Sequence, residues 1–216
     1  MGHLSLVKSL SRLKEEHQHS EEILLETFGL TFTRGTITEI TGESSAGKTS
    51  LSLVLLAKLT AVGEICAMVD SSNSFDPRTA SLAGLTLENL LWIKCGGNIE
   101  KAFTAANYLV QAKGFGAIWL NLNGISSREL SLLPKSYWFR YRTHLKETQT
   151  VFLVTAAQPL TGSSSQQALV FSREKAVWSG TGRFKLLRNF HLKSHSRKEL
   201  GRQPVFTKIE FDYTDA

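Results

Sequence analysis

Residues 41–50 read TGESSAGKTS, and Gly42, Gly47, Lys48 and Thr49 within them satisfy the spacing G-x-x-x-x-G-K-[ST]. Glycines in such a loop let the backbone curl so that successive N–H groups point inward at phosphate oxygens. A lysine at this place reaches the terminal phosphates, and the hydroxyl after it ligates Mg2+. Gly42, Glu43, Ser44, Ser45, Ala46, Gly47, Lys48, Thr49 and Ser50 thus form a candidate nucleotide cradle, with Thr49 as the metal ligand. The plain alternative is a glycine turn that happens to precede a helix. Context speaks against it: GTITEITG (35–42) is a β-branched strand pattern, and KTSLSLVLLAKLTA (48–61) is an apolar helix pattern whose N-terminus adds partial positive charge.

The elements that hold this loop alternate along the chain. EICAMVD (64–70), NLLWIKC (89–95), AIWLNL (117–122) and TVFLVTAA (150–157) read as buried strands. Helical patterns over 77–84, 98–113 and 134–147 separate them. Such alternation predicts an α/β fold, a mostly parallel sheet with helices on both faces. After the polar loop 159–167, the runs ALVFS, AVWSG, FKLLRNFHLK and VFTKIEFDY add an antiparallel edge. At the other end, Leu4, Val7, Leu10 and Lys14 have helical spacing, and HQHSEEILLETFG reads as a hinge and a second short helical piece. The expected organisation is an N-terminal helical segment (1–24) and one core (25–216), a length that suits a single compact domain.

Composition narrows the setting. Hydrophobic residues make up 42% and charged residues 20%, as in ordinary globular proteins. No run approaches the roughly 20 consecutive apolar residues of a membrane span, and the first residues carry no signal-peptide core. Cys66 and Cys95 lie inside apolar runs without partners at metal-ligand spacing, so they read as buried thiols in a reducing cytoplasm. The net charge of +6 suits a polyanionic partner only if it is clustered.

Together with three later stretches, the loop resembles the RecA recombinase family. MVDSSNSFDPRTASLAGLTLENLLW (68–92) is similar to the family segment in which a strand ends in Asp and leads to a "DP" turn and an LG…NLL sequence. QALVFSREKAVW (167–178) is similar to the segment after the second DNA-binding loop, and FKLLRNFHLK (184–193) to the hairpin offered to a neighbouring protomer's nucleotide. The resemblance covers about residues 25–213 and implies a RecA-like ATPase core without a separate C-terminal domain. In length and departures the chain is closer to the ImuA-type accessory proteins of bacterial mutagenic repair. ATP and Mg2+ are the implied cofactors, and Asp76 joins the implied nucleotide-binding residues.

Several implied catalytic positions are substituted. The glutamate that orients and deprotonates water falls on Ser72, which cannot act as that base at neutral pH. The Walker B aspartate falls on Asn121, which keeps an acceptor oxygen but loses the charge. The adenine-stacking tyrosine falls on Thr79 and the γ-phosphate sensor near Ala156, with Gln158 two residues on. Asp70 stands as a possible substitute metal carboxylate. The expectation is a nucleotide held but hydrolysed weakly or not at all.

Between Arg183 and Lys208 lie eight basic residues and one acid, a net +7 that exceeds the charge of the whole chain. Arg183, Lys185, Lys193, Arg197, Lys198 and Arg202, with Arg128 in the first implied DNA loop (124–133), are candidate DNA contacts. Solvated cations protecting an edge hairpin are the alternative. Arg188 is the implied contact to a neighbour's nucleotide. The second implied DNA loop, 159–167, has no basic residue. SYWFRYRTH (136–144) mixes aromatics with Arg140 and Arg142, a combination that stacks on bases, but Trp138, Phe139 and Tyr141 are expected to pack their helix onto the sheet. Three functions follow. One is an ATP- and single-stranded-DNA-binding protein of repair, recombination or the damage (SOS, translesion) response. Another is a scaffold that self-associates or docks on a RecA-type recombinase or a translesion polymerase. The third is an active DNA-dependent ATPase.

Overall fold

The computed structural model describes residues 22–179, 186–196 and 205–210, with side chains described up to residue 173 and at Lys193. The expected N-terminal helix and the cations Arg183, Lys185, Arg197, Lys198 and Arg202 lie outside the described residues. Ten strands are present among the described residues: β1 (Glu22–Leu25), β2 (Leu30–Thr33), β3 (Thr36–Gly42), β4 (Cys66–Asp70), β5 (Leu90–Lys94), β6 (Ala117–Asn121), β7 (Val151–Ala156), β8 (Gln167–Ser179), β9 (Leu186–Ser196) and β10 (Val205–Glu210). The helices among the described residues are α1 (Lys48–Ala61), α2 (Pro77–Leu82), α3 (Ile99–Ala112), α4 (Ser127–Ser131) and α5 (Ser136–Leu145).

Strands β3 to β10 form one sheet in the order β10-β9-β8-β3-β7-β6-β4-β5. The six strands from β8 to β5 are parallel, and β9 and β10 add antiparallel pairings at one edge. The α/β class expected from the alternation is thus present, antiparallel edge included.

Period-2 alternation divides the core between the two faces. Met68, Trp119 and Leu153 face one side, where Leu51, Leu55, Leu56 and Leu59 of α1 cover them. Val69, Leu120, Phe152 and Val154 face the other, under Phe103 and Ala106 of α3 and Trp138 and Tyr141 of α5. Tyr141 anchors α5 by donating its hydroxyl to the Phe103 carbonyl at 2.6 Å.

Four expectations need correction. Residues 22–25, placed in a helical segment, form strand β1 and pair antiparallel with β2 around Gly29. Ile23 and Leu25 alternate into the core with Phe32, so a strand buries them better than a helical turn would. ALVFS and AVWSG are not two strands but one, β8, with register shifts near Arg173 and Val177. Residues 124–133 contain a capped turn of helix: Ser126 accepts from the Glu129 N–H, and the Glu129 side chain accepts from the Ser126 N–H and hydroxyl. Phe139 is 67% exposed, since it points away from the α5 face that buries Trp138 and Tyr141.

Candidate functional site

Strand β3 delivers the chain to Gly42, and the loop 43–47 turns it into α1. Gly42 has φ 141°, and a Cβ there would lie 2.0 Å from the Phe171 carbonyl oxygen of β8, so no other residue fits. Gly47, at φ 85°, makes the left-handed step into the helix. Glu43, Ser44, Ser45, Thr49 and Ser50 are exposed, whereas Ala46 and Lys48 are buried. Ser45 also has positive φ, 61°. Residues of opposite backbone hand around a helix N-terminus form a concavity of N–H groups suited to an anion.

Lys48 is not the surface group its loop position suggests. Its Nζ donates to the carbonyls of Gly42 at 2.5 Å and Glu43 at 2.8 Å, and burial lowers its pKa below the ordinary lysine value. The ammonium thus ties the start of the loop to the start of the helix.

Register brings the other positions together at the C-terminal ends of the parallel strands, the crevice where open α/β sheets bind ligands. Asp70 pairs with Asn121, and Asn121 with Thr155. A cavity of about 340 Å³ opens beside Thr49 and is lined also by Ser72, Asp76, Thr79, Asn121 and Asn123. Ser72 faces it with a buried hydroxyl oxygen that has no hydrogen-bond partner. Asp76 lies at its mouth as the N-cap of α2, accepting from Arg78 N and Thr79 N; the Thr79 hydroxyl also donates to it and holds its pKa below the carboxylate norm.

Sequence reasoning missed the network around Asn121. Its Oδ1 accepts from Asn123 N, Asn123 Nδ2 and the Thr155 hydroxyl at 2.8–3.2 Å, and its Nδ2 donates to Ser74 Oγ at 3.0 Å. Thr155 in turn accepts from Trp119 Nε1 at 2.9 Å. The pair of asparagines at the end of β6 was the available signal. Asp70 does not serve as a free carboxylate either: it is fully buried, and both oxygens accept from the Ser74–Phe75 backbone. Ala156 is buried, and Gln158 reaches only toward the Ser127 carbonyl at 3.5 Å.

Of the DNA-side candidates, Arg128 and Lys193 fall among the described residues. Arg128 is exposed on α4. The loop 159–167 is tied down by an unforeseen acid: buried Glu39 of β3 accepts from Leu160 N and Thr161 N at 2.6 and 2.8 Å. An acid inside a β-branched strand was its signal. Lys193 pairs with Ser172 in backbone register, next to the level of Gly42 and Phe171. Arg188 lies opposite Val177 and Trp178, about 20 Å further along β8 and past the edge of the parallel sheet.

Residues 19–123 match the RecA N-terminal domain family, a stretch that holds the loop, Ser72, Asp76 and Asn121. With the sheet order above, the fold is that of a RecA-like α/β domain. The chain is similar to the RecA proteins of Borrelia hermsii (36% identical) and Francisella philomiragia (32%), over 87 residues that cover 40% of this chain and 24% of each relative. The RecA protein of Bacteroides thetaiotaomicron is 34% identical over a similar stretch. The chain thus spans about a quarter of the length of the curated relatives it matches.

Proposed function

We propose that this protein binds ATP at Gly42–Ser50 and turns it over weakly or not at all, as a single-stranded-DNA-binding factor of repair, recombination or the damage response. The observation that carries the reading is the contrast within one crevice. The phosphate loop keeps its glycines, its lysine and its strand–helix setting, while the positions of base and metal carboxylate are Ser72 and Asn121. Uncharged groups there offer no proton acceptor near neutrality, and losing a general base costs on the order of 10²–10⁴ in rate. Thr49, with its exposed hydroxyl position, is the remaining metal-ligand candidate.

The DNA half rests on the basic run 183–208, including Lys193, and on exposed Arg128. A second reading, a scaffold docking on a recombinase or translesion polymerase, draws on the loop 159–167. It has no cation and is pinned by Glu39, a rigid polar surface better suited to a protein than to a phosphate chain. Titrating a labelled ATP analogue against wild type and Lys48→Ala tests the nucleotide reading. Saturable binding lost in the variant is expected, and equal binding by both proteins contradicts it.

A further inference from the structure

The divalent cation implied by the fold does not fit the oxygens this crevice offers. Asn121 Oδ1 faces three donors, from Asn123 N, Asn123 Nδ2 and the Thr155 hydroxyl. The Asp70 oxygens face the backbone N–H groups of Ser74 and Phe75. Asp76, the one carboxylate among the described residues lining the cavity, has both oxygens engaged in capping α2. Asn121 Oδ1 thus has no lone pair to spare, and every carboxylate oxygen of Asp70 and Asp76 already accepts at least one N–H, so none stands as a free anionic ligand. The hydroxyl of Thr49 is left, and one neutral ligand replaces one water of a strongly hydrated ion.

Resting on the nucleotide reading above, we infer that the site holds its nucleotide without help from Mg2+. Phosphate charge is met by the Lys48 ammonium, the loop N–H groups and the N-terminus of the 14-residue helix α1. Linkage makes the consequence quantitative. If the protein adds nothing to the ion's affinity for bound nucleotide, the ion adds nothing to the nucleotide's affinity for protein. Asn121 is the residue responsible. A carboxylate there puts a negative charge and a second oxygen on the cavity, in place of the amide N–H that now donates to Ser74 Oγ, so Asn121→Asp restores anionic support.

Calorimetric titration of full-length protein with ADP and with a non-hydrolysable ATP analogue, in excess Mg2+ and in EDTA, tests this. The Kd values in the two buffers are expected to agree within about threefold for wild type, and Asn121→Asp is expected to favour the Mg2+ buffer by about tenfold. Wild-type binding that weakens tenfold or more in EDTA overturns the inference and leaves the nucleotide reading standing. An Asn121→Asp protein that binds equally in both buffers overturns the role of Asn121. No binding in either buffer removes the nucleotide reading and this inference with it.

Discussion

Ser72 lies two residues beyond Asp70, the β4 partner of Asn121, yet the two positions fail chemistry in different ways. The Ser72 hydroxyl oxygen is buried without a partner at the wall of the cavity. Asn121 is the hub of a satisfied network and is held in place. Restoring one function without the other should therefore help little. Ser72→Glu combined with Asn121→Asp is expected to raise ATP turnover by more than the product of the two single effects, as groups acting on one water and one ion do; a steady-state phosphate-release assay on the four proteins measures it. Lys48→Ala is expected to abolish nucleotide binding while costing about 1 kcal/mol of stability, since two loop carbonyls lose their donor but regain water. Urea melts of the variant check the second part. The identities of these residues were legible in the sequence, because each falls in a motif. Their engagement was not: Lys48 turning back on Gly42 and Glu43, and the Asp70 oxygens spent on Ser74 and Phe75, are loop contacts that residue spacing does not encode, and the Asn121–Thr155 contact rests on the pairing of β6 with β7.

The strand–loop–helix unit stands or falls on β3, whose end at Gly42 touches β8 backbone to backbone. Gly42→Ala is expected to destabilise the fold by about 3 kcal/mol or more, because φ 141° and a contact with a backbone oxygen leave nothing flexible to yield; thermal unfolding followed by circular dichroism reads this. Helix α2 supplies a pH test. The carboxyl of Asp76 sits below its ordinary 3.8, chiefly through the Thr79 hydroxyl, so its stabilisation is present above that pH and lost as pH falls through the folded value. The gap in urea midpoint between wild type and Asp76→Ala should be full at neutral pH and close below 3.8; a gap that persists in acid contradicts the assignment. Buried strands were readable as short continuous apolar runs and the long helix α3 by its 3.6-residue period. Strand β1 and helix α4 were not, being 4 and 5 residues long, too short to display a period. Likewise, β8 read as two strands because its irregular register interrupts the alternation.

At the scale of the whole molecule, charge is concentrated in one stretch of the chain. The run 183–208 carries +7 in a chain of +6, so the remainder is close to neutral. With about five of those cations on phosphates, log K for a single-stranded oligonucleotide is expected to fall with log salt at a slope of about −3.5. Reversing Arg197, Lys198 and Arg202 to Glu should flatten it, as fluorescence anisotropy across a salt series would show. A slope near zero for wild type favours the scaffold reading. The charge asymmetry was legible in the sequence, and most of those cations lie outside the described residues. Within the sheet, Arg188 lies opposite Val177 and Trp178, beyond the stretch where β8 pairs with β3. The central claim, a nucleotide held and not spent, is tested most directly by measuring ATP binding and ATP turnover on one preparation, with and without single-stranded DNA. The account predicts saturable binding with turnover at background in both conditions. Robust DNA-stimulated hydrolysis by the unmodified protein would contradict it and would mean that a group other than Ser72 or Asn121 supplies the base.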